Sequence, residues 1–166
     1  MDQQSLKVRA GNILLVLTDV DGVLTDNGVY YGKDGEIGKR FSIRDGMGVE
    51  RLKKLCAIET GIITGETSAS VVKRAEKLNI TELHLGIKDK KAVLMEILKR
   101  KNLDAAQVAF IGDDVNDLPI IQEVGFSACP NDAMQQVSGV VHYICENKGG
   151  QGAFRELAEF IIQSQP

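Results

Sequence analysis

Two short aspartate-rich segments carry the residues of this chain that are best suited to chemistry. They are Asp19-Val20-Asp21-Gly22-Val23-Leu24-Thr25 and Gly112-Asp113-Asp114-Val115-Asn116-Asp117. Each follows an apolar run typical of a buried parallel strand, residues 13–17 and 108–111. Because open α/β sheets place their ligands at the carboxyl ends of their strands, we expect both segments to form one acidic site.

The first aspartate pair suits nucleophilic and acid–base chemistry. On an extended segment, Asp19 and Asp21 would face the same side about 6.6 Å apart, so that one could attack a substrate while the other transfers a proton. An aspartate that follows a strand also often caps a helix or forms an Asx turn, and for Asp21 alone that alternative stays open.

The second segment suits a metal ion. Asp113, Asp114 and Asp117 bring three negative charges into five residues, and unit charges 4 Å apart at an effective dielectric near 20 repel by about 4 kcal/mol. Ligands that are all oxygen, without clustered His or Cys, favour Mg²⁺. The alternative is a solvated acidic loop that caps a helix beginning near residue 118.

Two further segments could complete a phosphate site. Thr64-Gly65 lies between an apolar run and the next helix, where a hydroxyl and free backbone N–H groups can hold an anion. Lys90 stands at the start of a helix, where its charge opposes the helix dipole and a nearby phosphate or carboxylate would offset it. Lys88 and Lys91 are close alternatives to Lys90.

Composition excludes several classes of protein. The chain has 166 residues, which fits one domain, and its net charge of -3 with scattered basic residues predicts no nucleic-acid partner. Three cysteines far apart indicate neither a disulfide framework nor a zinc site. No signal-peptide core and no apolar run of roughly 18 residues is found, so we expect a cytoplasmic protein without a membrane partner.

Apolar strands alternate with amphipathic helices along the chain, a pattern that predicts an α/β fold with a parallel sheet covered by helices. Asp34-Gly35 between two half-apolar runs predicts a β-hairpin after the first strand. The remaining predicted strands lie near 57–63, 82–85, 126–128 and 140–144, and the predicted helices near 45–55, 68–78, 89–100, 118–124 and 153–162.

In order, Asp-x-Asp-Gly-Val-Leu-Thr, Ile-Thr-Gly, Lys90 and Gly-Asp-Asp-x-x-Asp resemble the four motifs of the haloacid dehalogenase (HAD) superfamily of phosphohydrolases. The hairpin, Phe41-x-x-Arg44-Asp45-Gly46 and the Gly-Gly-x-Gly-Ala-Phe-Arg-Glu segment resemble its capless branch, the 3-deoxy-D-manno-octulosonate (KDO) 8-phosphate phosphatase family. The resemblance implies a Rossmann-like sheet in a single domain, 1–166, with a hairpin flap about 27–43, a C-terminal tail about 147–166 and no cap domain.

The resemblance also implies a role for each motif residue. Asp19 would be the nucleophile that forms an aspartyl phosphate, and Asp21 the acid and base. Mg²⁺ would be held by the Asp19 carboxylate, the Asp21 main-chain carbonyl and the Asp113 carboxylate. Asp114 and Asp117 would support the metal ligands, and the phosphoryl oxygens would be held by Thr64, the Gly65 amide and Lys90.

Spacing agrees with the absence of a cap. From Asp21 to Thr64 there are 43 positions and from Thr64 to Lys90 there are 26, and neither interval has room for a cap domain. Exclusion of water must then come from elsewhere, and a neighbouring subunit is the simplest source. The family implies a homotetramer in which the tail approaches a neighbour's site, with Arg155 as the residue expected there. A surface Arg155 paired with Glu156 or Glu159 is the alternative.

The substrate expected from the resemblance is a 3-deoxy-2-keto sugar acid phosphate. Arg44-Asp45-Gly46 resembles the enzymes acting on KDO 8-phosphate, which predicts contacts from Arg44, Asp45 and Gly46. Glu66 stands where many of those enzymes carry Arg. Together with Arg74 and Lys77 it resembles relatives that act on nonulosonate 9-phosphates, whose products are sialic acids and related sugars. Arg74 and Lys77 could equally form an exposed helical face. We place the eight-carbon substrate first and the nine-carbon substrate second.

An alternative of another class is a non-catalytic oligomerisation module, since similar domains occur fused to sugar-acid cytidylyltransferases. The intact set Asp19, Asp21, Thr64, Lys90 and Asp113 favours catalysis.

Overall fold

The computed structural model describes residues 2–166 and is organised around a six-stranded parallel sheet. The strands are β1 (Leu15–Thr18), β2 (Thr25–Gly32), β3 (Gly35–Phe41), β4 (Glu59–Ile63), β5 (Glu82–His84), β6 (Val108–Ile111), β7 (Phe126–Cys129) and β8 (Tyr143–Ile144). The strand order of the sheet is β5-β4-β1-β6-β7-β8, and β2 and β3 form a separate antiparallel hairpin. The helices are α1 (Gln3–Gly11), α2 (Ile43–Cys56), α3 (Ala69–Leu78), α4 (Lys90–Lys101), α5 (Leu118–Ile121), α6 (Gln135–Ser138) and α7 (Ala153–Ser164).

Helices cover both faces of the sheet, as the near-continuous apolar strands predict. Successive residues of β1 point to opposite faces, so that Val16 packs in one buried cluster while Leu15 and Leu17 pack in the other. The first cluster is closed by α1, α2, α3 and α7, and the second by α4 and α5. The predicted α/β fold with a hairpin after the first strand is therefore confirmed, and residues 2–166 contain no cap domain.

The start of the chain and the length of α5 differ from the sequence prediction. Residues 3–11 form α1, a helix that the sequence did not indicate because only Ala10 is buried and the apolar pattern is weak. Helix α7, which the sequence predicts near residues 153–162, forms most of the segment assigned as a C-terminal tail, and its Phe154 and Leu157 are fully buried. Helix α5 ends at Ile121 rather than near residue 124. No helix in residues 2–166 is both long and apolar enough to cross a bilayer.

Candidate active site

Strand pairing brings the two aspartate segments together. β1 lies directly beside β6 with Thr18 opposite Ile111, and both strands end at the same edge of the sheet. The Asp19 amide continues this ladder by donating to the carbonyl oxygen of Ile111 at 3.0 Å. Asp19 and Asp113 therefore meet although 94 positions separate them in the chain.

Three buried carboxylates form the centre of the site. One oxygen each from Asp19, Asp113 and Asp117 lie within 4.8 Å of one another. The Lys90 ammonium lies 2.8 Å from Asp19 Oδ2 and 2.5 Å from Asp117 Oδ1. Three carboxylates and one ammonium leave two negative charges when all four groups are ionised. An all-oxygen cluster with this charge fits a divalent cation.

Lys90 is held in place by the start of α4. The Asp89 carboxylate accepts from the Ala92 amide at 3.0 Å and caps the helix. Burial by itself would lower the pKa of Lys90, but Asp19 and Asp117 together raise it. Lys90 therefore stays protonated inside the protein. Its neighbour Lys91 forms a surface ion pair with Glu123 instead.

Asp117 has a more central position than the supporting role expected for it. It is fully buried, and besides Lys90 it accepts from the Asp113 amide at 3.1 Å. Asp114 is exposed, and its carboxylate accepts from the Val115 amide at the edge of the site. Of the two aspartates predicted to support the metal ligands, Asp117 thus lies within the carboxylate cluster and Asp114 at its rim.

A cavity of about 190 Å³ opens in front of the cluster. Thr64 is buried at its wall, and its hydroxyl oxygen accepts from the Glu66 amide at 3.4 Å. The loop bearing Thr64 follows β4, which pairs with β1 on the side opposite β6. The cavity is lined by Asp19, Asp21, Asn27, Thr64, Gly65, Glu66, Asp113, Asp114 and Asn116.

Asp21 does not lie on an extended segment, so the spacing argument made from the sequence is wrong. Residues 21–24 form a turn in which the Leu24 and Thr25 amides both donate to the Val20 carbonyl oxygen. The Asp21 carboxylate lines the cavity but does not belong to the three-carboxylate cluster. Lys39 of the hairpin donates to both of its oxygens at 2.6 Å.

Two polar residues of the site were missed in the sequence. Asn27 has a left-handed backbone with φ of 63° and donates to Asp113 Oδ2 at 3.2 Å. Its position in Asp26-Asn27-Gly28 is a turn signal that could have indicated it. Lys39 gave no such signal, because its partner Asp21 lies 18 positions away and across the hairpin.

The glycine-rich segment after β8 supports the Asp21 turn from behind. The Gly150 amide donates to the Val23 carbonyl oxygen at 2.9 Å. A Cβ at Gly149 would lie 1.9 Å from the Gly22 carbonyl oxygen, so only glycine allows this approach. Glu156 at the start of α7 accepts from the Glu146 and Asn147 amides and orders the segment. The close approach of these glycines therefore holds the turn that carries Asp21.

Most residues predicted to contact the substrate lie outside this cavity. Asp45 is buried and accepts from the Arg155 amide at 2.9 Å, which ties α2 to the start of α7. Arg155 pairs through its side chain with Glu159 at 2.7 Å, one of the alternatives considered for it. Within a single chain, Asp45 therefore joins α2 to α7, and the Arg155 side chain pairs within α7.

Of the other residues predicted to contact the substrate, Arg44 and Gly46 lie at the start of α2, Arg74 and Lys77 lie on α3, and Glu66 lies in the loop before α3. Arg74 donates to the Ser42 carbonyl oxygen at 2.7 Å and lies over the Phe41 ring. Gly46 makes room for Arg74, since a Cβ there would lie 2.5 Å from its Nη2 atom. Arg44 and Lys77 are exposed, and of the predicted substrate contacts Glu66 lines the cavity.

The carboxylate cluster predicts a pH-dependent response to Mg²⁺. Burial raises the pKa of Asp113 to about 7, with further increases from Asp19, Asp117 and Asp114 and an opposing hydrogen bond from Asn27. The metal-free folded state therefore keeps a proton that the unfolded state loses, and stability is lost as pH rises from about 4 to about 7. Mg²⁺ binds the ionised form, and at 100 times its dissociation constant it would add about 2.7 kcal/mol. We expect Mg²⁺ to raise the unfolding midpoint much more at pH 8 than at pH 5.

Thermal unfolding with Mg²⁺ and with EDTA at both pH values measures this difference directly. The Asp113→Asn variant is the matched control, since it removes one ligand and one charge, and it should lose most of the Mg²⁺ response at pH 8. An equal Mg²⁺ shift at the two pH values would contradict the assignment of the cluster as the metal site.

Comparison with known proteins agrees with this geometry. Residues 49–157 match the family model of haloacid dehalogenase-like hydrolases. The KDO 8-phosphate phosphatase of Yersinia pestis is 40% identical over 95% of this chain and 83% of its own, and that of Haemophilus influenzae is 38% identical over 93% and 85%. The crystal structure of the Moraxella catarrhalis KDO 8-phosphate phosphatase, in complex with a magnesium ion, a phosphate ion and KDO, superposes with a TM-score of 0.95 at 36% identity and covers 99% of this chain and 94% of its own. The chain therefore belongs to the haloacid dehalogenase-like hydrolases, and within them to the 3-deoxy-D-manno-octulosonate 8-phosphate phosphatase family.

Proposed function

We propose that this protein is a Mg²⁺-dependent phosphatase that hydrolyses KDO 8-phosphate to KDO and phosphate. The observation that carries the proposal is the cluster of three carboxylates, Asp19, Asp113 and Asp117, two of which pair with the Lys90 ammonium. The cluster lies at a cavity that Asp21 and Thr64 also line. The three relatives described above, each a phosphatase of this one sugar acid phosphate, support the choice of substrate. An intact reactive set argues against a purely structural module.

In the proposed reaction, Asp19 attacks the phosphorus atom and forms an aspartyl phosphate. Asp21 gives its proton to the leaving alkoxide and later takes one from the attacking water. Lys90 and the Thr64 hydroxyl offset the charge on the transferring phosphoryl group, with the Gly65 amide beside them. The Val20 amide donates to Asp19 Oδ1 at 2.7 Å and Lys90 contacts Asp19 Oδ2, which fixes the orientation of the nucleophile.

Mg²⁺ fits the donor set of the site, which is all oxygen and carries excess negative charge. We propose that it is held by the Asp19 carboxylate, the Asp113 carboxylate and the Asp21 main-chain carbonyl. Asp117 supports these ligands, because its carboxylate pairs with Lys90 and accepts a hydrogen bond from the Asp113 amide. When bound, the ion would polarise the phosphoryl group and neutralise charge that develops on it.

The assembly and the location remain proposals as well. We propose a homotetramer of single-domain subunits in the cytoplasm, with the hairpin flap at the subunit contacts. In its support, the tip of the hairpin exposes large apolar side chains, Tyr31 at 72% and Ile37 at 73%. Contacts to a substrate from the other predicted residues would then involve a neighbouring subunit or a movement of α2, α3 or α7. These residues are Arg44, Asp45, Gly46, Arg74, Lys77 and Arg155.

The substrate assignment is tested by a panel of phosphate esters. We expect kcat/KM with Mg²⁺ to be highest for KDO 8-phosphate, compared with the two nonulosonate 9-phosphates and a generic hexose phosphate. Glu66 at the cavity wall is the feature that could favour nine carbons, so the panel includes Glu66→Arg. A preference for a nine-carbon substrate would overturn the assignment to KDO 8-phosphate. Failure of all four esters would favour the non-catalytic module.

A further inference from the structure

Lys39 is the most unusual residue of the hairpin. It belongs to an otherwise largely exposed β3, yet its side chain is only 1% exposed. Its ammonium donates to both carboxylate oxygens of Asp21 at 2.6 Å. Burial of a lysine charge is costly unless it is paired, so this two-point contact decides where the side chain lies. Lys39 thereby fixes the Asp21 carboxylate in one orientation.

An irregularity in the strand pairing of the hairpin lies next to Lys39. Lys39 is paired with Val29, and the strand register shifts between the Thr25 and Val29 pairs. Such irregularities redirect side chains and are common beside active sites. The shift lies between the end of the Asp21 turn and the residue opposite Lys39. The hairpin and the catalytic turn are therefore connected through the backbone as well as through the ion pair.

Glu36 anchors the same strand to the phosphate-binding side of the cavity. Its carboxylate accepts from Ser68 Oγ at 2.5 Å and from Ser70 Oγ at 3.1 Å. Ser68 caps α3, the helix that follows the Thr64-Gly65 loop. Glu36 also lies 4.0 Å from the Lys39 ammonium. A continuous polar chain thus runs from Asp21 through Lys39 and Glu36 to the start of α3.

We propose that Lys39 is a positioning residue that aligns Asp21 for proton transfer. This inference rests on the proposed function, because it assigns Lys39 to the acid and base step of that reaction. In the first half, a bond forms between an Asp19 carboxylate oxygen and phosphorus, the bond between phosphorus and the ester oxygen breaks, and the Asp21 proton passes to that oxygen. In the second half, the oxygen of water bonds to phosphorus, the bond between Asp19 and phosphorus breaks to release phosphate and the free carboxylate, and a proton of the water passes to Asp21. Lys39 keeps its own protons. It donates to both oxygens of the ionised Asp21 carboxylate and to the unprotonated oxygen when Asp21 carries the proton, and so holds the group in the orientation that both transfers need.

The leaving group reveals whether Lys39 acts through Asp21. A sugar alkoxide needs a proton to leave, whereas p-nitrophenolate is a stable anion that does not. Since general acid catalysis contributes about 10² to 10⁴-fold, we expect Lys39→Met to lower kcat/KM for the sugar phosphate by about 100-fold and for p-nitrophenyl phosphate by less than about fivefold. A purely structural role would lower both values by the same factor, and that result would overturn the proposal.

A double-mutant cycle with Asp21→Asn gives a second readout on the sugar phosphate alone. If Lys39 acts through Asp21, Lys39→Met should have little further effect on kcat/KM in the Asp21→Asn background. If the double variant instead lost kcat/KM by the product of the two single-variant factors, the proposal would be contradicted. Lys39→Arg keeps a cation with two donors and should recover part of the activity. The matched control is Arg40→Met, which removes the neighbouring, half-exposed ion pair with Asp26 and should change kcat/KM by less than about twofold.

The two proposals fail in different ways. If wild-type protein hydrolyses p-nitrophenyl phosphate but not KDO 8-phosphate, the substrate assignment is wrong. The Lys39 comparison is then made with whichever alkyl phosphate the wild type hydrolyses. If KDO 8-phosphate is hydrolysed and Lys39→Met lowers both leaving-group classes equally, the positioning role is wrong while the substrate assignment stands.

Discussion

Replacement of Asp19 by Asn is expected to lower kcat for KDO 8-phosphate by at least about a thousandfold, because an amide cannot form the acyl phosphate on which turnover depends. Asn has nearly the shape of Asp, but its single acceptor oxygen can receive only one of the two donors, the Val20 amide or the Lys90 ammonium, that Asp19 receives together. Phosphate release under saturating substrate and Mg²⁺ measures the loss.

Stability separates this chemical effect from a folding defect. Asp19 is one of the groups that raise the pKa values of Asp113 and Asp117, so its neutralisation relieves repulsion in the metal-free site. The unfolding midpoint in EDTA should therefore stay within a few degrees of wild type or rise. Asp114→Asn removes a charge from the rim of the same cavity and is the matched control, with an expected loss of less than about tenfold. Retention of turnover in Asp19→Asn would remove Asp19 as the nucleophile.

The meeting of the two aspartate segments was predictable from the sequence because it follows from sheet geometry. Apolar runs of strand length before Asp19 and Asp113 indicated parallel strands, and parallel strands end at one edge. The only further requirement was that β1 and β6 be neighbours, which they are. Local signals likewise sufficed for the Asp-Gly hairpin and for Asp89 at the start of α4.

Contacts between residues on different elements were not predictable in the same way. The sequence indicated that a metal ion would relieve the crowded carboxylates and that a phosphate or a carboxylate would face Lys90, but it did not show that Lys90 pairs with Asp117, 27 positions later in the chain. The motif around Asp45 indicated a substrate ligand. In the structure the Asp45 carboxylate accepts a hydrogen bond from the Arg155 amide at the start of α7, 110 positions later in the chain. Local pattern fixes elements, but pairing across the core depends on how those elements pack.

Removal of the Lys90 charge is expected to damage both stability and activity. Lys90→Met keeps the length of a side chain that is only 1% exposed but leaves the carboxylate cluster without its cation. Loss of one partner of a buried ion pair costs about 3 to 5 kcal/mol, which for a chain of this size lowers the midpoint by about 10 °C. Loss of the charge that faces the phosphoryl group should lower kcat/KM by about 10² to 10³.

The stability loss in Lys90→Met should depend on pH in a defined direction. Burial and Asp19 raise the pKa of Asp117, and Lys90 opposes that rise. Without the ammonium, Asp117 keeps its proton to a higher pH in the folded variant than in the unfolded chain. The stability of the variant is therefore lost as pH rises through the neutral range. We expect a small midpoint deficit at pH 5, a large one at pH 8, and partial recovery with Mg²⁺.

Lys91→Met is the control for Lys90, because it removes the next lysine of the same helix and breaks a half-exposed ion pair with Glu123. It should cost less than about 1 kcal/mol at either pH, since exposed pairs contribute little. Equal losses in the two variants would mean that Lys90 acts only as a helix residue. A deficit in Lys90→Met that does not change with pH would show that the ammonium does not compensate the buried carboxylates, and the charge balance inferred for the metal site would fail with it.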